Sequence, residues 1–385
     1  MATQGKTANA RAGKYISQLE GYKAFIPEPL PPRPNIKMDR ELSLLLSETD
    51  QALARLDGMT TLLPDPDFFV SMYIRQEAIL SSQIEGTQST LDDLLKYELE
   101  GQKRGTPFDV YEVFNHVRAM NYGLERLKAL PLSLRLIREI HKTLMEGVRG
   151  GDKTPGDFRH TQNWIGPKGC SIRDATFVPP PINDMNSALD NLETFLHDNA
   201  TYPVLIHCGL AHAQFETIHP FLDGNGRVGR LLITFLLCER GILAMPLLYL
   251  SHYLKRNKQE YYDRLMEIRN KGDWEGWLKF FLSGVKDVSI QAKETSKKIL
   301  DLQRDCRQLV HQKIGNSTLA FKLIDYLFEQ PFLNSKKTQE SLECSSAASI
   351  NLLNKFVDLG LLDELTGAKR YRFYRFSKYV DLFRA

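Results

Sequence analysis

The chain has 385 residues, 42% of them hydrophobic, which is enough apolar surface to fill two or three globular domains. Fifty Lys and Arg against 47 Asp and Glu leave a net charge of +3, too weak a basic lean to argue nucleic-acid binding by itself. Five cysteines, at 170, 208, 238, 306 and 344, lack paired spacing, which argues against a disulfide framework or a zinc site and for free thiols in a reducing cytoplasm; no apolar stretch is long enough to span a bilayer, and the start MATQGKTANARAGKY has no apolar signal core.

The first sixty residues are expected to begin disordered and to pass through FIPEPLPPRP, Phe25 to Pro34, a tethered arm running extended over the surface. Met38 to Leu56 carries Leu42, Leu45, Leu46, Ala52 and Leu56 at helical spacing. After the turn Pro64-Asp65-Pro66-Asp67, a second helix is predicted from Phe68 to Ile84 with Asp67 as its N-cap. Its end reads SSQIEG, where Ser81 and Glu85 share one helix face and Gly86 is a natural stop. Taken alone, that is a solvated face. Thr87-Gln88-Ser89-Thr90 then caps a short helix, Leu91 to Leu99.

From Tyr111 the pattern is helix after helix. Val113, Val117, Met120, Leu124 and Leu127 share a face; Leu132 to Met145 forms another stripe, in which His141 reads as a hydrogen-bonded core residue. The pattern breaks at Gly150-Gly151 and resumes at Ile182. Between them, Gly156 to Pro181 mixes Phe158, Trp164, Ile165, Ile172, Phe177 and Val178 with a central Gly-Pro-Lys-Gly, which predicts a short β-hairpin with an exposed edge. Such an edge can pair with any extended peptide. Two helices follow, Asn183 to Phe195 and Val204 to Phe215.

The second leads into HPFLDGNGRVGR, His219 to Arg230, just ahead of the apolar run Leu231 to Cys238. Gly224 and Gly226 allow a turn that aims successive N–H groups at one point, and the helix that follows adds its free N-terminal N–H groups and its dipole. Arg227 and Arg230, one turn apart, can fork onto phosphate oxygens. Asp223 suits a Mg²⁺ ion bridging those phosphates, and a neutral His219 can take a proton from an incoming hydroxyl. The string is neither a P-loop, having no Gly-Lys-Ser/Thr, nor a dinucleotide fingerprint, having no strand before it.

HPFLDGNGRVGR resembles the Fic signature, His-Pro-Phe-x-Asp/Glu-Gly-Asn-Gly-Arg-x-x-Arg, at every specified position. The resemblance implies transfer of AMP from ATP onto a hydroxyl side chain, with His219 as base, Phe221 as core anchor and Asp223 as metal ligand. Asn225 with Gly224 and Gly226 would be the phosphate cradle, and Arg227 and Arg230 would hold the distal phosphates. Beside that string, SSQIEG resembles the family's inhibitory motif, Ser/Thr-x-x-x-Glu-Gly/Asn. It implies that Glu85, with Ser81, pairs with Arg230 where the ATP γ-phosphate would sit, and that the chain is an N-terminally inhibited, class II member. The stretch around Gly156 to Pro181 resembles the Fic flap, with Ile165 and Gly166 near the nucleotide, and by the same resemblance Tyr262 and Asn270 help form the adenine pocket.

Beyond the signature, Trp274 and Trp277 read as packing residues, and Ser289 to Lys313 is a charged helix ended by Gly315-Asn316-Ser317. Helices at Leu319 to Phe328, Thr338 to Leu342 and Ser346 to Leu359 precede segments Leu361 to Leu365 and Tyr371 to Phe376 across the turn Thr366-Gly367-Ala368-Lys369, the winged-helix order. Its second long helix would offer Ser345, Ser346, Ser349, Asn351, Asn354 and Lys355 to a groove, and the wing carries Lys369, Arg370, Arg372 and Arg375.

The expected fold is mainly α: an N-terminal arm and inhibitory helix region over 1–100, a Fic catalytic core with a β-hairpin flap over 101–290, a helical linker over 291–317 and a winged helix over 318–385. The expected activity is that of a protein adenylyltransferase using ATP and Mg²⁺ on a Ser, Thr or Tyr hydroxyl of a target docked on the flap, and on itself. Rival readings are transfer of another phosphate-linked group, removal of AMP, and a DNA-binding regulator whose core senses nucleotide; DNA or protein contact through the winged helix and a homodimer are also compatible with the sequence, and membrane attachment is not expected.

Overall fold

A computed structural model of the chain describes residues 11–62, 66–101, 107–147, 153–367 and 372–383. The expectations for residues 1–10, Pro64-Asp65, Gly150-Gly151 and the wing residues Lys369 and Arg370 lie outside the described residues.

The N-terminal segment is not a free arm. Strands β1 (Gly13–Ser17) and β2 (Lys23–Pro27) pair as an antiparallel hairpin in which Tyr15 faces Phe25, the two rings 5.0 Å apart edge to face. Such a directly opposed aromatic pair favours the hairpin, and Ala24 and Phe25 are buried by it. The proline stretch behind it is docked: the N–H of Leu30 donates to Asn191 Oδ1 at 2.8 Å, and Asn191 Nδ2 donates back to the Leu30 carbonyl at 3.1 Å.

The helices follow in the predicted order. α1 (Arg40–Asp57) starts on Asp39, whose carboxylate accepts from the N–H of Leu42. α2 spans Pro66–Ile84, and proline at its first position costs no hydrogen bond; the cap expected of the Asp67 side chain lies outside what the structure describes. Then come α3 (Leu91–Glu100), opened by a Thr90–Asp93 capping box, α4 (Phe108–Leu127), α5 (Leu134–Leu144) and α6 (Ile182–Leu196). The centre is α7 (Val204–Ile218) and α8 (Asn225–Glu239), both buried on nearly every side, as their all-round apolar sequences require.

α9 (Ser251–Arg256), α10 (Lys258–Lys271) and α11 (Trp274–Ile314) close the core. Trp277 is fully buried and its indole N–H donates to the Gly209 carbonyl of α7 at 2.9 Å. α11 runs straight through position 290: its buried face continues through Val285, Val288, Ala292, Ile299, Cys306 and Val310, so the stretch expected as a linker is the second half of one 41-residue helix.

The C-terminal part contains α12 (Thr318–Glu329), β3 (Phe332–Asn334), α13 (Ser335–Leu342), α14 (Ser346–Asp358), β4 (Asp363–Glu364), β5 (Phe373–Arg375) and α15 (Ser377–Val380), with sheet order β3-β5-β4. The three helices and the two later strands fall where they were expected, and β3, which was not expected, joins them between the first and second helices as the edge strand beside β5. Several residues expected to face a groove are engaged inside the fold: Ser345 caps α14, Ser349 is buried, and Arg375 pairs with Asp381 at 2.8 Å and Asp92 at 3.6 Å. Past α15, Phe383 packs edge-on against Tyr73 of α2, ring centres 5.3 Å apart, and its carbonyl accepts from Gln76 Nε2 at 2.8 Å. Among the described residues no helix is long and apolar enough to cross a membrane.

Candidate active site

The site is the junction of α7 and α8. His219 ends α7 in the left-handed conformation, φ 50°, which a non-glycine residue adopts only where its surroundings enforce it. Here its carbonyl is held by Arg159 Nε at 3.1 Å and Asn163 Nδ2 at 3.3 Å. Phe221 is fully buried, stacked on His141 at 3.7 Å between ring centres. His141 Nδ1 accepts from the N–H of Gly156 at 2.9 Å, so its other nitrogen carries the proton and donates to the Asp223 carbonyl at 3.1 Å. Burial holds that imidazole down to about 4, which keeps this tautomer neutral.

Asn225 is bound within its own loop. Its side-chain oxygen accepts from the Phe221 N–H and its amide donates to the Phe221 carbonyl, both at 2.8 Å, so the side chain clamps the loop, with one amide N–H committed to it. Gly224 supplies the expected turn at φ 77°. Gly226 is helical, and what it supplies is room: a Cβ there would overlap Glu85 Oε1 and stand 2.9 Å from Arg230 Nη1.

The structure brings Ser81, Glu85 and Arg230 together. Arg230 is buried on α8; Nε donates to Ser81 Oγ at 2.8 Å, and Nη2 donates to the Ser81 carbonyl at 3.0 Å and to Glu85 Oε1 at 2.6 Å. Burial raises the Glu85 carboxyl and Arg230 more than reverses that, leaving it below its ordinary value. Arg227, also buried, differs: Nε and Nη1 have no hydrogen-bond partner, and its carboxylate neighbours Asp223 and Glu112 stand off at 3.7 and 3.9 Å. Two orphaned guanidinium donors beside a helix N-terminus fit an absent anion.

A cavity of about 540 Å³ opens between His219, Arg230 and Glu85 on one side and Ile165, Gly166 and Tyr262 on the other. Asn270 does not line it; the residue bonds instead to the Tyr15 hydroxyl, 3.4 Å away. Its neighbour Arg269 lines the cavity, lying 3.8 Å from the centre of the Phe177 ring and donating to Thr217 Oγ1 and the Glu216 carbonyl. Arg269 and Glu216 escaped the sequence reading; a charged pair inside otherwise apolar helical faces was the available signal. Burial, with Arg269 and Arg159 adding to it, pulls the His219 imidazole down to about 3, well below the near-neutral value expected of it.

The flap is a loop closed by one bridge, not a two-stranded hairpin. Ile165 and Phe177 exchange both backbone hydrogen bonds, at 2.8 and 3.0 Å. Pro167 and Pro179 to Pro181 have no N–H to extend the ladder, and Ile172–Asp174 folds into a 3₁₀ turn. The edge is also partly taken, because the Phe25 N–H of β2 donates to the Val178 carbonyl at 2.9 Å.

Residues 43–125 match the Fic/DOC family N-terminal profile and residues 131–237 the Fic/DOC family profile. A probable protein adenylyltransferase of Aquifex aeolicus is 27% identical over 211 residues, 55% of this chain and 59% of that one. The protein adenylyltransferase Fic of Culex quinquefasciatus is 31% identical over 156 residues, 39% of this chain and 27% of its own length. The chain thus spans less than two thirds of these relatives. The crystal structure of a Fic family protein from Desulfovibrio desulfuricans G20 superposes with a TM-score of 0.55 at 20% identity, covering 89% of this chain and 97% of that one, a likeness of fold.

Proposed function

We propose that this chain, which belongs to the Fic/DOC family, transfers AMP from ATP to a Ser, Thr or Tyr hydroxyl of a target protein and of itself, and that α2 holds the activity off. One observation carries the reading: inside a cavity lined by His219, a carboxylate sits 2.6 Å from the arginine that ends the signature. An arginine engaged by Ser81 and Glu85 cannot also fork onto a phosphate.

With Glu85 withdrawn, Arg230 and the N-terminus of α8 at Gly226 would grip the phosphates from the cavity wall, Arg227, buried behind that lining, would add its charge, and Ile165, Gly166 and Tyr262 would enclose the base. Among the described residues no three His, Cys, Asp or Glu side chains cluster as a metal site. A Mg²⁺ ion on phosphates needs only one or two protein carboxylates, and the half-exposed Asp223 at the loop fits that part. Bound there, the ion would neutralise charge on the leaving pyrophosphate. His219 takes the proton of the target hydroxyl, the hydroxyl oxygen bonds to the α-phosphorus, and the bond to pyrophosphate breaks. Burial first, then Arg269 and Arg159, depress His219, and nucleotide phosphates taking the place of the Glu85 carboxylate would bring more negative charge to oppose the arginines. Positioning and charge stabilisation supply the rest.

The direct test is mass spectrometry of lysate proteins after incubation with ATP and Mg²⁺. Added AMP on hydroxyl side chains is the expected result; an added phosphoryl group, or no adduct even from a protein freed of Glu85, rejects the reading. Ser81→Ala should loosen the brake. It leaves Arg230 Nε without its 2.8 Å partner, a loss of about 1–3 kcal/mol, so basal transfer should rise several-fold while the melting temperature falls. Unchanged basal transfer with a lowered melting temperature would make Ser81 structural only.

A further inference from the structure

Glu216 lies on α7, three residues before His219, buried and lining the same cavity. Its Oε1 has no hydrogen-bond partner. The carboxyl is seated against α8 at Gly229, where a Cβ would overlap that oxygen, just as one at Gly226 would overlap Glu85 Oε1. Two glycines three residues apart therefore cut two notches in α8, each filled by a carboxyl group from a different helix; Arg230 follows the second notch directly in the chain, and its charge acts on both carboxyls.

We infer that Glu216 is a positioning residue for Arg230: it takes the guanidinium's charge when Glu85 leaves and releases it when a phosphate arrives. The inference rests on the proposal that Glu85 is a displaceable occupant of a nucleotide site. A single guanidinium balances a single carboxylate. While Glu85 is in place, burial pushes Glu216 up to about 7 and it retains a proton near neutrality. Removal of Glu85 leaves a buried cation without a counter-charge, which is strongly unfavourable, and Glu216 is the carboxyl beside it. Its proton leaves to solvent. A nucleotide phosphate on Arg230 then restores the earlier balance, and Glu216 takes a proton back.

The charged and titratable groups that act on Glu216 are Arg230 on α8, Glu85 on α2, and Tyr261, Tyr262 and Arg269 on α10; His219, on its own helix, bonds to the backbone at 216. Burial holds His219, Tyr261 and Tyr262 neutral, and the arginines stay charged at neutral pH. With Glu85 gone, Glu216 is the one of these groups placed to change charge there, so nucleotide binding should consume a proton.

The test compares Glu85→Gly with Glu85→Gly/Glu216→Gln, using an ATP analogue with a methylene between the α and β phosphates, plus Mg²⁺, so that binding is read without transfer. Calorimetry at pH 6 in two buffers of different ionisation enthalpy should show uptake approaching one proton in the first protein and none in the second. Affinity of the first should fall by up to about tenfold per pH unit as pH rises towards about 7 and then level off, while the second stays flat and binds more tightly at pH 8. Glu85→Gly/Glu216→Asp should restore the proton uptake, which a purely packing role would not. Equal uptake and equal pH profiles in the glutamate and glutamine proteins overturn the inference and leave the proposed function standing. Failure of the analogue to bind either protein rejects both.

Discussion

Glu85→Gly should raise self-labelling with ATP by about ten- to a hundredfold at limiting nucleotide. Removing one partner of a fully buried ion pair costs about 3–5 kcal/mol. The Glu85 side chain is 39% exposed, so the contact that the nucleotide must displace is worth less, about 1.4–2.8 kcal/mol, which is the stated range in apparent affinity. Glycine also removes the side chain from the notch at Gly226, leaving Arg230 Nη2 directed at open cavity. The Ser81 contacts to Nε and Nη2 remain and keep the guanidinium oriented. Labelling no stronger than wild type at any ATP concentration would show that Glu85 is not a brake, whatever its contact with Arg230.

What the sequence made legible follows from how locally each feature is encoded. HPFLDGNGRVGR is a continuous run, and Phe221, Gly224 and Arg230 stand as its residue types demand. The Glu85 to Arg230 contact joins residues 145 positions apart and was reachable only because both ends carry a recognisable pattern. The loop clamp made by Asn225 was not legible, because a loop amide can serve the ligand or the loop, and its partner, Phe221, appears only in the fold. Asn270 was wrong by a single residue. One step along a helix turns a side chain by about 100°, enough to replace it at the cavity with Arg269. The hairpin β1–β2 was missed because its five-residue strands are overshadowed by the prolines that follow, while the flap, rich in strand formers, lacks the N–H groups to form more than one bridge. Glu216 offered only the weak signal of one acid within an otherwise apolar helix, and nothing in the sequence set Gly229 beside it.

His219→Ala, made in the Glu85→Gly protein, should lower transfer by about 10²- to 10⁴-fold, the usual contribution of a positioned base. Binding should survive. Arg227, Arg230 and the start of α8 are untouched, so affinity for the methylene analogue should stay within about twofold of the parent. The fold should survive as well, because the ring's Nδ1 has no well-formed hydrogen bond to lose, and the carbonyl contacts of Arg159 and Asn163 belong to the backbone at 219. The pH profile separates a base from a packing residue. A base must be unprotonated, so transfer by the Glu85→Gly protein should fall on acidification through the pKa of the nucleotide-bound imidazole, which the phosphates raise and burial lowers. The trace of transfer left in the alanine variant should lack that acid limb. Retained transfer with the limb intact would place the base elsewhere, and Glu216 would be the first carboxyl to replace, since it alone among the cavity's remaining acids is buried next to Arg230 with an oxygen unspoken for.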